Sequence, residues 1–276
     1  MATSFAKMGD KSSFNNLLVL DSLNLAFRYK HAKTRNYAAK YLETVRSLAN
    51  SYECRDIIIT ADFKGSSYRR GIDPEYKANR KVLKEKQSPE EREEFEEFFE
   101  DYLKTLEILE LAGFPILKYE GVEADDIAAY ISKYYSKNYE HTWLISSDRD
   151  WDLLVNKKVS RFSYVTRKEI TLDNWEQHYD CTQEQYISLK VLQGDSGDNV
   201  PGVAGIGPKR AASLLREYGS ALDIYDMLPI DQKYKHIQNL NEFGDRILVN
   251  YELMDLLTFC EAAIGEDNIK DIEGKL

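Results

Sequence analysis

The sequence contains few of the residues on which disulfide frameworks and imidazole metal sites depend. Its 276 residues include three cysteines and four histidines. The cysteines lie far apart and form no Cys-x-x-Cys spacing, so they predict neither a disulfide framework nor a zinc knuckle. The histidines form no His-Glu-x-x-His spacing and do not indicate a zinc site. This composition fits a reducing compartment.

Long apolar runs are also missing. Residues 1–16 are polar and lack the apolar core of a leader peptide, and no run approaches the ~18 apolar residues of a membrane span. We therefore predict a cytoplasmic protein with no membrane partner.

Positive charge is in the minority, but it is unevenly distributed. The chain has 37 Lys and Arg against 47 Asp and Glu, a formal net charge of -10, and this balance alone argues against a nucleic-acid binder. The first 80 residues, however, hold 14 basic and 8 acidic side chains, whereas residues 90–110 hold 10 acidic and 2 basic ones. The average therefore conceals a basic N-terminal region.

Up to about residue 182, short apolar runs rich in branched residues alternate with longer helical patterns. This alternation predicts an α/β fold with a central, mostly parallel sheet and flanking crossover helices. The predicted strands are 17–20, 57–60, 115–118, 143–146 and 159–164, and the predicted helices are 37–51, 89–112 and 125–135. Only helical patterns follow, at 184–192, 211–218 and 245–257. We therefore predict an α/β part of residues 1–182 and a helical part of residues 183–276.

Carboxylates follow four of the predicted strands at the point where each strand ends. These acids are Asp21, Asp62, Glu123, Asp125, Asp126, Asp148 and Asp150. Taken singly, such an acid is ordinary, because it can cap a helix or complement the helix macrodipole. Because the carboxyl ends of parallel strands meet at one edge of a sheet, however, we expect the acids to converge. They would then repel one another unless a cation lay between them.

The chemistry of this acid cluster indicates metal ions. Oxygen ligands without His or Cys favour Mg²⁺, with Mn²⁺ as a substitute. Asp195 and Asp198 add two further acids in a glycine-rich turn. The set is large enough for two ions, the arrangement that activates water and stabilises the leaving oxygen in phosphodiester hydrolysis.

A glycine-rich segment in the helical part indicates DNA binding. Residues 201–211, PGVAGIGPKRA, are similar to the hairpin of a helix-hairpin-helix motif, placed here near 190–218. Glycines let a backbone approach closely, and a basic helix start can hold a phosphate without reading its base. A Walker loop fits less well, since no strand precedes the segment, and a purely structural turn is the other alternative. The residues concerned are Gly202, Gly205, Gly207, Lys209 and Arg210.

A second basic segment precedes the acidic stretch. Lys77 and Arg80 are three residues apart, on one face if the segment is helical, and Tyr76 beside them offers a ring for a stacked base. By itself this segment could equally be a solvated charged loop. Together with the hairpin it predicts a DNA-binding surface. To that surface we also assign four other basic residues: Arg28, Lys30, Arg69 and Arg70.

These motifs together resemble the structure-specific 5′-nucleases, also called flap endonucleases. The sequence is most similar to stand-alone bacteriophage enzymes related to the 5′-nuclease domain of bacterial DNA polymerase I, which implies a PIN-like nuclease core. The resemblance runs from about residue 17 to 257. Its motifs are LDSLN (20–24), Asp62, PEYKANR (74–80), GVEADD (121–126), SSDRDWD (146–152), GDSGDN (194–199) and the hairpin (202–210).

The resemblance implies a role for each acid of the set, and no acid of the family pattern is missing. One Mg²⁺ would rest mainly on Asp62, Glu123, Asp125, Asp126 and Asp148. The other would rest on Asp148, Asp150, Asp195 and Asp198. Asp21 would act through water.

The resemblance also implies how DNA is held. Lys77 and Arg80 would contact the scissile phosphate and, with Asp148, are the implied catalytic residues. Tyr76 matches a base-stacking position, and Lys190 matches a second basic residue near the site. Residues 77–112 would form a helical arch through which a single-stranded 5′ end passes. The hairpin would grip duplex DNA, and in the family it can hold K⁺.

The implied activity is hydrolysis of a phosphodiester near the junction of a 5′ flap and duplex DNA, and at 5′ ends, in replication and repair. It would leave a 5′-phosphate and a 3′-hydroxyl. We further expect a monomer without a sliding-clamp partner. If a phage encodes the chain, the protein would act in the host cytoplasm. RNA-primed ends are a further candidate substrate. Ser22 and Leu23 depart from the family pattern, in which small residues, often glycine, follow the first aspartate.

Two alternatives use part of the same evidence. A metal-dependent phosphohydrolase of small molecules would use the acids, but it needs neither the hairpin nor the basic segment. An inactive DNA-structure-binding module would use the hairpin, but it does not need an intact acid set.

Overall fold

The computed structural model describes residues 14–276, and its centre is a six-stranded sheet. The strands are β1 (Asn16–Asp21), β2 (Cys54–Thr60), β3 (Ile116–Leu117), β4 (Thr142–Ile145), β5 (Val159–Ser163) and β6 (Lys168–Ile170). The spatial order is β3-β2-β1-β4-β5-β6. Strands β1 to β5 are parallel, and β6 pairs antiparallel with β5. The predicted fold class, a mostly parallel sheet with flanking helices, is confirmed.

Within the described residues, thirteen α-helices connect and follow the strands. Before β6 these are α1 (Ser22–His31), α2 (Ala38–Ser51), α3 (Ser67–Ile72), α4 (Ala78–Glu85), α5 (Pro89–Leu111) and α6 (Ala124–Tyr134). After β6 come α7 (Tyr186–Gln193), α8 (Pro208–Tyr218), α9 (Ala221–Asp226), α10 (Lys235–Phe243), α11 (Arg246–Met254), α12 (Leu256–Ile264) and α13 (Glu266–Lys275). As predicted, no strand occurs after residue 182 in the described part of the chain.

The sheet is covered on both faces, and β1 shows why its sequence is continuously apolar. Leu17 and Val19 belong to a core that includes α6 and the C-terminal helices. Leu18 and Leu20 point to the opposite core, with α1, α2 and α5. Alternate residues of a strand face opposite sides, so a strand buried on both faces needs apolar residues at every position. The central strands are thereby fixed, and their carboxyl ends share one edge.

The segment between β2 and β3 forms α4 and α5, where the sequence predicts an arch. Ser88 begins α5 through a capping box with Glu91, and Pro89 occupies the first helical position. The second half of α5 buries apolar side chains such as Phe98 and Leu109 in the core, whereas α4 has no buried residue. The basic helix therefore stands away from the core while α5 is anchored to it.

Several elements differ from the predicted ones. Strand β6 was missed because its three residues, KEI, carry no apolar alternation. The predicted helix 245–257 is broken at Asp255, whose side chain accepts from Thr258 N and begins α12. The chain after 257 continues in helices up to residue 275.

None of the helices within residues 14–276 combines the length and the apolar character needed to cross a membrane. Most of the polar stretch 1–16, on which the absence of a leader was judged, lies outside the described residues.

Candidate active site

Asp21 lies where β1 ends and α1 begins, at the carboxyl edge of the sheet. It caps α1, with Oδ1 accepting from Asn24 N at 3.1 Å, and Oδ2 accepts from Ser146 Oγ at 2.8 Å. Burial, with repulsion from Asp62, raises the pKa of Asp21 to about 7. Its carboxylate is therefore close to other negative charges, as the strand positions predicted.

Asp62 follows β2, Asp125 lies in the first turn of α6 after β3, and the two face the same region. Asp62 Oδ1 accepts from Ala124 N at 2.7 Å, which places it at the amino end of α6. Asp125 Oδ1 accepts from Trp151 Nε1 at 2.6 Å. Burial, followed by repulsion from Asp148 and Asp62, raises the pKa of Asp125 well above its ordinary value. Acids from β1, β2, β3 and β4 thus lie within electrostatic reach of one another.

Glu123 and Asp198 form one half of the site, with a lysine between them. Lys77 Nζ lies 2.6 Å from Glu123 Oε1 and 3.5 Å from Asp198 Oδ2. The Tyr76 hydroxyl lies 3.1 Å from an oxygen of each acid and shares its single hydrogen between them, and Arg80 Nη2 lies 2.7 Å from Asp198 Oδ1. The segment predicted to be catalytic therefore reaches the acids directly.

The backbone of Lys77 holds an unusual conformation. Its φ is 58°, in the left-handed region that a side chain other than glycine rarely adopts. The amide of Lys77 donates to Asp198 O at 2.8 Å, which ties this residue to the 194–199 loop. Backbone strain of this kind is characteristic of functional sites, where surrounding contacts fix it.

Asp150 and Asp195 form the other half, again with a lysine between them. Lys190 Nζ lies 2.6 Å from Asp150 Oδ1 and 3.6 Å from Asp195 Oδ2. Burial raises the pKa of Asp150 to about 6, with Lys190 acting in the opposite direction. Asp148 Oδ1 accepts from Asp150 N at 2.9 Å, so the two acids of this turn are held in fixed relation.

These acids fit divalent metal ions in donor chemistry and charge. All donors are carboxylate oxygens, as Mg²⁺ and Mn²⁺ prefer, and burial followed by repulsion between the acids raises the pKa values of Asp21, Asp125 and Asp150. Within residues 14–276, no three His, Cys, Asp or Glu side chains converge closely enough to hold an ion as they stand. Two of the acid pairs, Glu123 with Asp198 and Asp150 with Asp195, each have a lysine ammonium group between them.

Asp126, predicted to be a metal ligand, is paired with an arginine. It is completely buried, and its two oxygens accept from Arg69 Nη1 and Nη2 at 2.7 Å each. Arg69 is also buried and donates to Leu253 O and Glu123 as well. The surroundings of both residues thus differ from those that their predicted roles suggest, because Asp126 is engaged by an arginine and Arg69 has almost no exposed surface.

Tyr76 also differs from its predicted environment. Its side chain is buried, with a core of Val200, Leu253 and Met254 around it. Its hydroxyl is used by the acids, so the ring anchors the start of α4 instead of presenting a free face to a base.

The other basic residues assigned to DNA lie on the surface in several places. Arg28 is exposed and lies over the Tyr164 ring, and Lys30 lies over the Phe95 ring of α5. Arg70 is exposed and donates to Lys64 O.

The hairpin presents basic groups at the start of α8. Lys209 and Arg210 are exposed, and Arg210 Nη1 donates to Gly205 O at 2.6 Å. A Cβ on Gly207 would meet nothing within 4 Å, whereas a Cβ on Gly202 would lie 1.9 Å from Gln193 O. Gly207 therefore leaves the surface open to a ligand, and Gly202 is needed instead for close packing against the end of α7.

A cleft of about 710 Å³ runs from the acids to the hairpin, with Asp148, Asp150, Lys190, Asp195 and Pro208 among its lining. Its size and its lining by both halves of the chain suit an extended ligand.

Residues that sequence reasoning missed support this edge. Asn24 Oδ1 accepts from Ser147 N at 2.9 Å, which joins α1 to the turn carrying Asp148. The buried Arg161 pairs with the buried Asp152, and Arg161 Nη1 donates to Ser146 O. The sequence signal for this pair is the single arginine inside the predicted strand 159–164. A charge buried in a strand requires a partner, so this arginine indicates a buried ion pair.

Comparisons with known proteins identify the family of this chain. Residues 16–182 match the family described as 5′-3′ exonuclease, N-terminal resolvase-like domain, and residues 181–273 match 5′-3′ exonuclease, C-terminal SAM fold. The flap endonuclease of Escherichia phage T5 is 46% identical over 263 residues, covering 94% of this chain and 90% of that protein. Flap endonuclease Xni of Shewanella sp. (strain ANA-3) is 28% identical, covering 88% of this chain and 90% of the relative.

Solved structures give the same result. The bacteriophage T5 D15 flap endonuclease in a pseudo-enzyme-product complex with DNA and metal ions superposes with a TM-score of 0.90 at 43% identity, covering 94% of this chain and 98% of that one. With family matches over nearly the whole described chain, the protein belongs to the 5′-3′ exonuclease family and is a nuclease of the hydrolase class.

Proposed function

We propose that this protein is a divalent-metal-dependent, structure-specific 5′-nuclease. It cleaves DNA at or near the junction of a 5′ single-stranded flap with duplex, and at 5′ ends, leaving a 5′-phosphate and a 3′-hydroxyl. The observation that carries the proposal is the convergence of strand-end acids with Lys77, Arg80 and Lys190 at one edge of the sheet. Phosphodiester hydrolysis needs this combination of metal-binding acids and phosphate-binding cations.

Two divalent ions, Mg²⁺ or Mn²⁺, would be held by the carboxylates at the cleft. The acids that remain available once Asp126 is paired with Arg69 are Asp21, Asp62, Glu123, Asp125, Asp148, Asp150, Asp195 and Asp198. When bound, such ions lower the pKa of water and neutralise charge on the leaving oxygen. Asp21 is buried, and both of its oxygens already accept hydrogen bonds, from Asn24 N and Ser146 Oγ, which suits an indirect role.

The protein's own cations would bind and orient the substrate phosphate. Lys77 and Arg80 leave the same turn at the base of α4 and reach the acids from the side of the predicted arch. A phosphate placed against them gains two charge-assisted contacts, and the charge that develops on its oxygens is stabilised there. Lys190 approaches from α7 on the other side of the acids.

Duplex DNA would lie against the hairpin, with the single strand directed toward α4 and α5. Lys209, Arg210 and the open face of Gly207 suit phosphate contacts without base readout. Backbone carbonyls in the hairpin would offer oxygen ligands to K⁺. Residues 1–182 and 183–276 are the two functional parts, residues 77–112 form the arch, and the protein acts as a cytoplasmic monomer.

The proposal is tested with a labelled 5′-flap substrate, in Mg²⁺ and in EDTA, using the full chain and the Asp148→Asn variant. We expect cleavage near the junction only for the unmodified chain with Mg²⁺. Cleavage that persists in EDTA and in the variant would refute metal-dependent catalysis by this site. Tight flap binding without turnover in Mg²⁺ or Mn²⁺ would instead support the DNA-structure-binding module.

A further inference from the structure

Two lysines bridge acids that come from opposite sides of the cleft. Lys77 Nζ stands between Glu123, which follows β3, and Asp198, in the loop after α7. Lys190 Nζ stands between Asp150, which follows β4, and Asp195, in that same loop. The lysine side chains are 18% and 11% exposed, so their charges are only weakly screened by water.

The loop is attached by contacts other than these two lysine charges as well, among them the pair of Arg80 with Asp198 at 2.7 Å. Asn79 Nδ2 donates to Ser196 O at 2.9 Å, and Asn199 Nδ2 donates to Glu75 O at 2.8 Å. Together with the amide of Lys77 on Asp198 O, these uncharged bonds hold the loop against the start of α4. The ammonium groups therefore chiefly compensate the charge of the carboxylates around them.

A divalent ion would need the same carboxylate oxygens. An ammonium group at 2.6 Å already uses one oxygen of Glu123 and one of Asp150, and two cations on one carboxylate oxygen repel each other. A divalent ion bound to these oxygens would therefore weaken the hold of the lysines on them.

We propose that Lys77 and Lys190 are displaceable counter-ions of the metal-free protein. Each ammonium holds a pair of acids until divalent ions bind, and it is then released toward the cleft, where a DNA phosphate can accept it. Binding of metal and binding of phosphate are thereby linked through the two lysines. This inference rests on the proposed use of divalent ions.

The consequence is a competition that affinity measurements can detect. Removing one lysine charge should tighten binding of divalent ions, because the ion no longer has to displace a cation. The attraction between a lysine ammonium and a carboxylate at this distance is worth about fivefold or more in affinity. Without the lysine charge, a divalent ion no longer has to overcome this attraction. A residue with a merely structural role would give no gain.

Isothermal titration calorimetry with Mn²⁺ and with Mg²⁺, on the full chain without DNA, tests the inference. Lys190→Met and Lys77→Met should each bind ions at least about fivefold more tightly. Lys190→Arg, which keeps the charge, should stay near the wild-type affinity. Lys64→Met is the matched control, since Lys64 pairs with Glu120 on the surface at 2.8 Å, and it should change nothing.

The outcomes separate this inference from the proposed function. If the wild type binds divalent ions and both methionine variants bind them with equal or weaker affinity, the displacement is overturned and the proposed function stays intact. Absence of binding in every protein would overturn both. Circular dichroism checks folding, and Lys190→Gln replaces Lys190→Met if the latter does not fold. In EDTA, the folded variants should melt at a lower temperature than wild type. Added Mn²⁺ should then raise their melting temperature by more than it raises that of the wild type.

Discussion

The guanidinium of Arg69 donates two parallel hydrogen bonds to the carboxylate of Asp126, each 2.7 Å long, and neither side chain reaches solvent. Arg69 belongs to α3, and Asp126 lies in the first turn of α6. Arg69 also donates to Leu253 O at the end of α11. One arginine thus joins the helix that follows the acids to the C-terminal helices.

Replacing Arg69 with methionine should destabilise the protein by about 3–5 kcal/mol, because the Asp126 carboxylate would be buried without a partner. Urea unfolding in EDTA measures this change. Arg55→Ala, which breaks an exposed pair with Asp56, is the control and should leave the midpoint nearly unchanged. A loss for Arg69→Met as small as for Arg55→Ala would show that the buried pair is not a structural support.

The raised pKa of Asp21, about 7, predicts how stability depends on pH in the absence of metal. The unfolded chain loses this proton near pH 3.8 and the folded protein only near 7, so the folded state binds more protons between these values. Stability should therefore be greatest at low pH and fall as pH rises to 7, by at most about 1.4 kcal/mol per pH unit from this group.

Urea unfolding at pH 5, 6 and 7 in EDTA measures this slope, and Asp21→Asn should flatten it. An equal slope in the wild type and the variant would assign the pH dependence to other groups.

Replacing two glycines of the hairpin with alanine should have different effects on stability. In Gly202→Ala the new Cβ would overlap Gln193 O, and overpacking of backbone against backbone costs about 1–3 kcal/mol or more. In Gly207→Ala the Cβ meets no protein atom, and φ at this residue is -95°, so folding should be unaffected.

Melting temperature and affinity for duplex DNA distinguish the two glycine variants. We expect Gly202→Ala to lose stability, and Gly207→Ala to keep it while binding duplex more weakly. Unchanged duplex affinity in Gly207→Ala would place the DNA elsewhere.

Lys77→Ala should lower turnover much more than it lowers affinity for flap DNA, because the proposed contact strengthens as charge develops on the phosphate. Single-turnover cleavage in Mg²⁺ measures the turnover, and binding in Ca²⁺ measures the affinity for flap DNA. Lys84→Ala, an exposed lysine on the same helix, is the control and should reduce turnover little. Parallel losses of turnover and affinity in Lys77→Ala would mean that Lys77 only anchors the DNA.

Part of the site follows directly from local sequence rules. A buried parallel strand needs apolar residues on both faces, so LLVL at 17–20 and III at 57–59 identify the central strands. An acid directly after such a strand must lie at the carboxyl edge of the sheet. Local sequence is therefore sufficient to place Asp21, Asp62 and Asp148 at this edge.

The partners of these acids could not be obtained in this way. Glu123 and Asp126 are three residues apart, read alike and share Nη1 of Arg69, yet only Glu123 also pairs with Lys77 at the cleft. Both oxygens of Asp126 accept from Arg69, whereas Glu123 keeps one oxygen for Lys77, and this difference depends on which distant segments pack beside each acid. The arginine lies 57 residues from Asp126 in the chain.

By itself, the sequence determined the class of fold, the edge on which the acids gather and the glycine-rich hairpin, because each depends on periodicity or on neighbours within a few residues. Tertiary structure alone decided which charges are paired. Lys77 meets Asp198, and Lys190 meets Asp150, only after segments far apart in the chain have packed together. An ion pair leaves no local pattern in sequence, since its energy depends on burial and on the distance between two groups that folding brings together.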